Sequence, residues 1–212
     1  MEPDAVEIRV AGCLVEKQRT TPDAYPLSLN ALRLACNQST NRDPVVAYDE
    51  ATVSDALRRL AQRGWTRLAS GPGSRARKYR HLLPEALGIS DEELALLAVL
   101  MLRGPQTPGE LKQRSERLHP FPDLGAVQET LERLLARELV IRQPRRPGQK
   151  EERYEQVLGG GGESEGEAPP AETATEDQPA ASPREDRLDR IERELRELRA
   201  AVTRLREDLG EG

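Results

Sequence analysis

The chain repeats itself. Val53, Leu57 and Leu60 recur 74 residues later as Val127, Leu131 and Leu134, and Gly73, Tyr79, Leu82 and Leu83 recur 75 residues later as Gly148, Tyr154, Val157 and Leu158. The one-residue change of offset falls inside a Gly/Pro turn. A duplicated amphipathic helix, followed in both copies by two short arms around a turn, predicts two copies of one helix-plus-hairpin unit.

In the first copy Val6, Val10, Cys13 and Leu14 recur at helical spacing, which predicts a helix from about Asp4 to Gln18 that buries one stripe. Leu27, Leu29, Leu32, Leu34 and Ala35 predict a second helix, ending in the polar run Asn37 to Asn41 before Asp43-Pro44, where proline biases Asp43 away from helix. Asp49 caps a third, with Val53, Ala56, Leu57, Leu60 and Ala61 inward and Thr52, Ser54, Asp55, Arg58, Arg59 and Gln62 outward. Gly64 ends it. Strands are expected over 65–70 and 75–82, around the turn Gly71-Pro72-Gly73-Ser74.

The second copy opens on two capping boxes, Ser90 with Glu93 and Thr107 with Glu110, the latter with Pro108 at the first helical position. Its third helix runs over about 124–137, with strands over 139–143 and 151–157. The run Leu94 to Leu102 is apolar on nearly every side. It reads either as a wholly buried core helix or as a helix whose extra face docks on the other copy or on another chain. The fold class is mainly α with small β-hairpins (α+β): two tandem winged helix-turn-helix domains, residues 1–84 and 85–158.

Residues 159–184 change to Gly, Glu, Pro, Ala, Ser and Thr, an acidic linker expected to be disordered. Residues 185–212 end the chain in a heptad pattern. Leu188, Ile191, Leu195, Leu198, Val202, Leu205 and Leu209 alternate spacings of three and four, the seam of a coiled coil. With Leu188 at position a, Arg187 pairs with Glu192 and Glu194 with Arg199 across a parallel homodimer. A trimer, or a helix folded back on the repeats, remains the alternative.

Net charge is −5, unevenly placed: +4 over 1–83, −2 over 84–158 and −7 over 159–212. The acidic total hides a basic first copy. With 36% apolar residues, two small cores are expected. The longest apolar run falls short of the roughly 20 residues of a membrane span. The acidic N-terminus carries no leader, so a cytoplasmic chain without membrane contact is expected. Cys13 and Cys36 sit in apolar stretches and read as buried thiols.

An enzyme needs a polar constellation, and none assembles. His81 and His119 have no partner at metal-ligand or triad spacing, and Gly71 to Ser74 lacks the glycine-lysine pair of a phosphate-binding loop. No catalytic residue, cofactor or metal is expected.

The stretches TTPDAYPLSLNALRLACNQSTNRDPV (20–45), GSRARKYRH (73–81), LRGPQTPGELKQRSERLH (102–119) and PRRPGQKEERY (144–154) resemble the YceH family of bacterial proteins. The resemblance covers residues 4–158 in detail. It implies tandem winged-helix domains followed by an acidic linker and a coiled coil, and it carries no activity across. Ala76 departs from the β-branched residue expected in the first returning strand.

Winged helices commonly place the third helix in the major groove and the hairpin on the backbone. Double-stranded DNA is therefore one expected partner. Arg75, Arg77, Lys78 and Arg80 on the first hairpin, and Arg142, Arg145, Arg146 and Lys150 on the second, would meet phosphates. Arg42, Arg58, Arg59 and Gln62 would face the groove, with Asn37, Gln38 and Asn41 near the end of the second helix. Both third helices also carry acid: Asp49, Glu50 and Asp55 in one, Asp123, Glu129 and Glu132 in the other. Asp55 with Arg59 and Glu129 with Arg133 read as i,i+4 pairs. The competing expectation is a protein-interaction module, with the 37–42 loop as a docking surface.

Overall fold

A computed structural model describes residues 2–69, 77–144 and 151–159. In the first repeat α1 (Ala5–Thr20), α2 (Leu29–Cys36) and α3 (Glu50–Gln62) precede β2 (Thr66–Leu68) and β3 (Lys78–His81). A two-residue strand, β1 (Leu27–Ser28), lies just before α2. A short helix α4 (Leu83–Leu87) leads into the second repeat: α5 (Asp91–Arg103), α6 (Pro108–Ser115), α7 (Leu124–Ala136), β4 (Val140–Gln143) and β5 (Arg153–Gln156). The repeat is exact at element level, since α7 lies 74 residues after α3 at both ends and β5 lies 75 after β3. The described part is thus α+β, mostly helical, with small antiparallel sheets.

Caps start the helices where the residues call for them. Asp4 with Glu7, Ser90 with Glu93 and Thr107 with Glu110 form reciprocal capping boxes, and Ser28, Asp49 and Asp123 cap α2, α3 and α7. Each such cap contributes about 1 kcal/mol. Helix three ends identically in both repeats. Trp65 N–H donates to Leu60 O at 2.9 Å and Leu139 N–H to Leu134 O at 3.0 Å.

Two expectations need correction. Leu27 and Ser28 are strand, not helix: Leu27 pairs with Tyr79 and Ser28 with Lys78, completing a three-stranded sheet in the order β1-β3-β2. In the second repeat a single bridge, Gln106 to Tyr154, takes that place beside β4-β5. Helix α1 buries every residue from Glu7 to Val15, not one stripe. It packs on α2, α3 and β3 to one side and on α5 to the other.

That second contact explains the all-apolar helix. Leu94 to Leu102 are all buried because α5 meets α6, α7 and β5 on one side and α1 on the other. Gly12 permits the approach: a Cβ there would lie 3.0 Å from Leu102 Cδ2 and 3.2 Å from Met101 Cβ. The apolar residues of both repeats accordingly form one continuous core, where two separate small cores were expected. Arg19 at the end of α1 also meets Asp91 at the start of α5, at 2.5 Å.

Buried arginines tie the polar 37–49 segment to this core. Arg9 donates to Cys36 O (3.3 Å) and Pro44 O (2.7 Å). Arg42 donates to Ala35 O (3.0 Å), Asn41 O (2.8 Å), Gln38 Oε1 (2.9 Å) and both oxygens of Glu16 (3.0 and 2.5 Å). Asn37 exchanges two 2.8 Å hydrogen bonds with the Tyr48 backbone, and Asp43 N–H reaches Leu102 O at 2.9 Å. Cys13 and Cys36 are buried free thiols beside these arginines. Their mutual hydrogen bond, then burial, pushes the Cys36 thiol up.

Candidate nucleic-acid interface

Helix three and the hairpin behind it are the elements expected to face a duplex. In the first repeat they enclose a cleft of about 300 Å³, lined by Ser54, Arg58 and Ala61 of α3 and by Arg67, Leu68, Arg77 and Tyr79 of the hairpin. Ala61, expected inside, is exposed here, as are Leu68 and, on α2, Leu34. Leu34 thus lies outside the buried face of α2.

Three arginines converge on this cleft. Arg58 has only an exposed partner, Asp55 at 3.1 Å. Exposed pairs of this kind contribute about 0–1 kcal/mol, so the guanidinium stays available. Arg67 and Arg77 are exposed, and their side chains have no hydrogen bond or ion pair among the described residues. Arg80 does not line this cleft but a separate pocket with Tyr25, His81 and Glu85. Arg67 stands directly opposite Arg80, so strand alternation puts both on one face of the sheet, with Lys78 beside them on β3. The Arg80 Nε is buried without a partner.

The other first-repeat candidates lie elsewhere. Arg42 is 6% exposed and wholly engaged beneath the 37–49 segment, so it does not face a groove. The same bonds hold the segment itself, which removes Asn37 and Gln38 from a free docking surface. Arg59 does not pair with Asp55; it reaches back to Asp4 (2.6 Å) and Glu7 (3.1 Å) at the start of α1, and Arg63 meets Glu7 at 3.2 Å. Burial works against the charge on Glu7, but the Asp4 backbone N–H and these two guanidinium groups outweigh it and hold the carboxyl below its ordinary range. The second repeat uses the same clamp, with Arg133 on Glu92 (3.0 Å) and Arg137 on Glu93 (3.5 Å). Arg133 is therefore not paired with Glu129. Gln62 is exposed on α3.

At four basic positions of the first repeat's helix three and hairpin, the second repeat reverses or removes the charge. Glu132 stands where Arg58 stands, Glu152 where Arg77 stands, Glu155 where Arg80 stands and Ile141 where Arg67 stands. Glu132 and Glu152 also consume Arg142 of that hairpin. Arg142 meets them at 2.8 and 3.4 Å and lies 5.6 Å over the Tyr154 ring. The matching cleft, about 190 Å³, is lined by Gln128, Glu151, Glu152 and Leu124. Arg67 and this change of charge were missed from the sequence, although lining up the two copies residue by residue would have found both.

Arg75, Ala76, the turn 71–74, Arg145, Arg146 and Lys150 lie outside the described residues, as do the linker beyond Gly159 and the seam from Leu188 to Leu209. Among the described residues no group of three His, Cys, Asp or Glu side chains is placed to hold a metal ion, and no helix is long and apolar enough to cross a membrane. His81 is packed beside Tyr25, its Nε2 2.6 Å from Gln18 Oε1, and His119 lies edge-on to Phe121.

The family model described as "Protein of unknown function, DUF480" matches residues 4–149. The UPF0502 protein of Geotalea daltonii is 55% identical over 172 residues, 80% of this chain and 78% of the relative. That of Geobacter metallireducens is 54% identical over 172 residues (79% and 78%), and that of Azotobacter vinelandii 51% over 156 (74% and 69%).

Proposed function

We propose that this chain, which belongs to the DUF480 family, is a DNA-binding protein of the tandem winged-helix type with a regulatory role, and that its first repeat makes the contact. One observation carries the reading: Arg58, Arg67 and Arg77 line one exposed cleft between helix three and the hairpin, without a committed counter-charge. In a winged helix those elements meet the major groove and the adjoining backbone. Arginines there supply phosphate contacts, which dominate non-specific affinity. Asp49 and Glu50 at the start of α3 repel phosphate, so the contact falls on the second half of the helix and on the hairpin.

Two chains joined through the 188–209 heptad would present two such surfaces. Fluorescence anisotropy of a mixed-sequence duplex at several salt concentrations tests the reading. Three arginines on phosphates give a slope of log K against log salt of about −2.7. No binding at low salt would refute it.

The second repeat favours a different partner. Its Arg142 is neutralised, its cleft is acidic, and Leu124 is 42% exposed at the cleft edge. Among the described residues that cleft offers no uncommitted cation and suits a protein, so an assembly role rests on the second repeat rather than the first. Leu124→Asp should leave duplex binding unchanged, and a matching fall in DNA affinity would reject the division of labour.

A further inference from the structure

A second basic site lies between the repeats, away from the α3 cleft. A cavity of about 370 Å³ opens where the C-terminal half of α1, Asn41, the end of α5 and the end of α6 meet. Its apolar floor is Val99, Leu102 and Leu118, and its walls carry Arg103, Arg114 and Arg117 with one acid, Glu16, opposite them.

The nearby acids do not balance these cations. Glu16 has both oxygens on Arg42, and Glu110 is shared between Arg114 at 3.5 Å and Arg153 at 3.0 Å. The partner of Arg103 is the uncharged side-chain oxygen of Asn41. Arg117 is exposed and has no hydrogen bond or ion pair among the described residues. Burial and the neighbouring Arg114 push the Arg103 guanidinium below its ordinary value. A half-buried cation held among like charges is stabilised by an incoming anion.

We propose that this inter-repeat cleft binds a small multiply charged anion, of the diphosphate or polycarboxylate class, between Arg103, Arg114 and Arg117. The volume falls in the range of small-molecule pockets, and a concave site with a carbon floor encloses a compact ligand better than it follows a polymer backbone. Charge-assisted, forked guanidinium contacts match phosphate and carboxylate oxygens. All three arginines come from the second repeat, and the first repeat closes the opposite wall with Thr20, Asn41 and the Arg42-bound Glu16. The inference stands independently of DNA binding.

The test is calorimetric titration of the full chain with inorganic pyrophosphate at a constant ionic strength of about 0.15 M, with thermal unfolding in parallel. Saturable one-site binding that raises Tm is expected. Arg103→Gln and Arg117→Ala should each weaken it about tenfold or more, the scale of one charge-assisted contact. Arg117 is exposed, so its variant keeps the test informative if Arg103→Gln fails to fold. Arg58→Gln should leave pyrophosphate binding intact. No saturable binding, or binding indifferent to both cleft variants, overturns the proposal. So does displacement of pyrophosphate by duplex DNA with a parallel loss of duplex affinity in Arg117→Ala, which would assign the cleft to a nucleic-acid phosphate.

Discussion

Arg67 and Arg80 face each other across the β2–β3 pair. Two cations directly opposite in a sheet repel, at a cost of roughly 0.2–1 kcal/mol in such pairs. The arrangement fits a surface that receives a polyanion. Arg67→Gln should therefore leave urea stability unchanged or raise it by a few tenths of a kcal/mol, while duplex affinity falls. A clear loss of stability would mean that Arg67 serves the fold.

Glu138 occupies the left-handed backbone position that Gly64 occupies 74 residues earlier, with φ of 55° and 74°. That conformation costs a residue with a Cβ about 1–2 kcal/mol. Glu138→Gly should stabilise the protein by about 1 kcal/mol, and Gly64→Ala, with nothing within 4 Å of the added Cβ, should destabilise it by a similar amount through the backbone alone. Chemical denaturation of the two variants checks both signs.

Gly12 governs the seam between the repeats. A leucine there adds several carbons to a position where a single Cβ already meets Leu102 Cδ2 at 3.0 Å. Overpacking of this kind costs about 1–3 kcal/mol, and Gly12→Leu should lower the urea midpoint accordingly. An unchanged midpoint would mean that α1 and α5 are not packed this closely.

Burial holds the His81 imidazole neutral and lowers its pKa from 6.5 to about 4, while Glu85 and Asp91 pull upward and Arg19 and Arg80 downward. The unfolded chain therefore binds this proton first, and stability falls as pH drops from 6.5 towards 4, by about 3 kcal/mol at most. Glu7 and Glu110 act in a lower window. Both carboxyls lie below their ordinary 4.5 despite burial, so their stabilisation is present above pH 4.5 and is lost as pH falls further. His81→Gln should flatten the loss between pH 6.5 and 5 in denaturation curves, and an unchanged slope would place the titrating group elsewhere.

Much of the fold was legible because it rests on local chemistry. Asp49, Ser90 and Thr107 cap where expected, and the duplication placed α7 and the described hairpin strands to within three residues. The misreadings share one cause, tertiary contact overriding a local pattern. Leu27 and Ser28 continue an apolar run into α2, but β3 claims them as strand partners. Arg59 and Arg133 lie four residues after an acid on a helix, yet each answers an acid at the start of its repeat's first helix. Arg42 sits in a polar run that looked solvated, and only the folded chain brings Glu16 beneath it. Arg58 and Arg77 were legible as candidate contacts, whereas their distinction from Arg142 depends on Glu132 and Glu152 reaching that hairpin.

The most direct measurement is the duplex affinity of Arg58→Glu/Arg67→Glu/Arg77→Glu beside that of Arg142→Ala, by anisotropy in the full chain at one low salt concentration. The account predicts that the triple variant loses binding by about a hundredfold or more, as three phosphate contacts become repulsive, while Arg142→Ala binds as the parent does. Equal affinity of the triple variant and the parent, or loss confined to Arg142→Ala, would contradict the assignment of DNA binding to the first repeat.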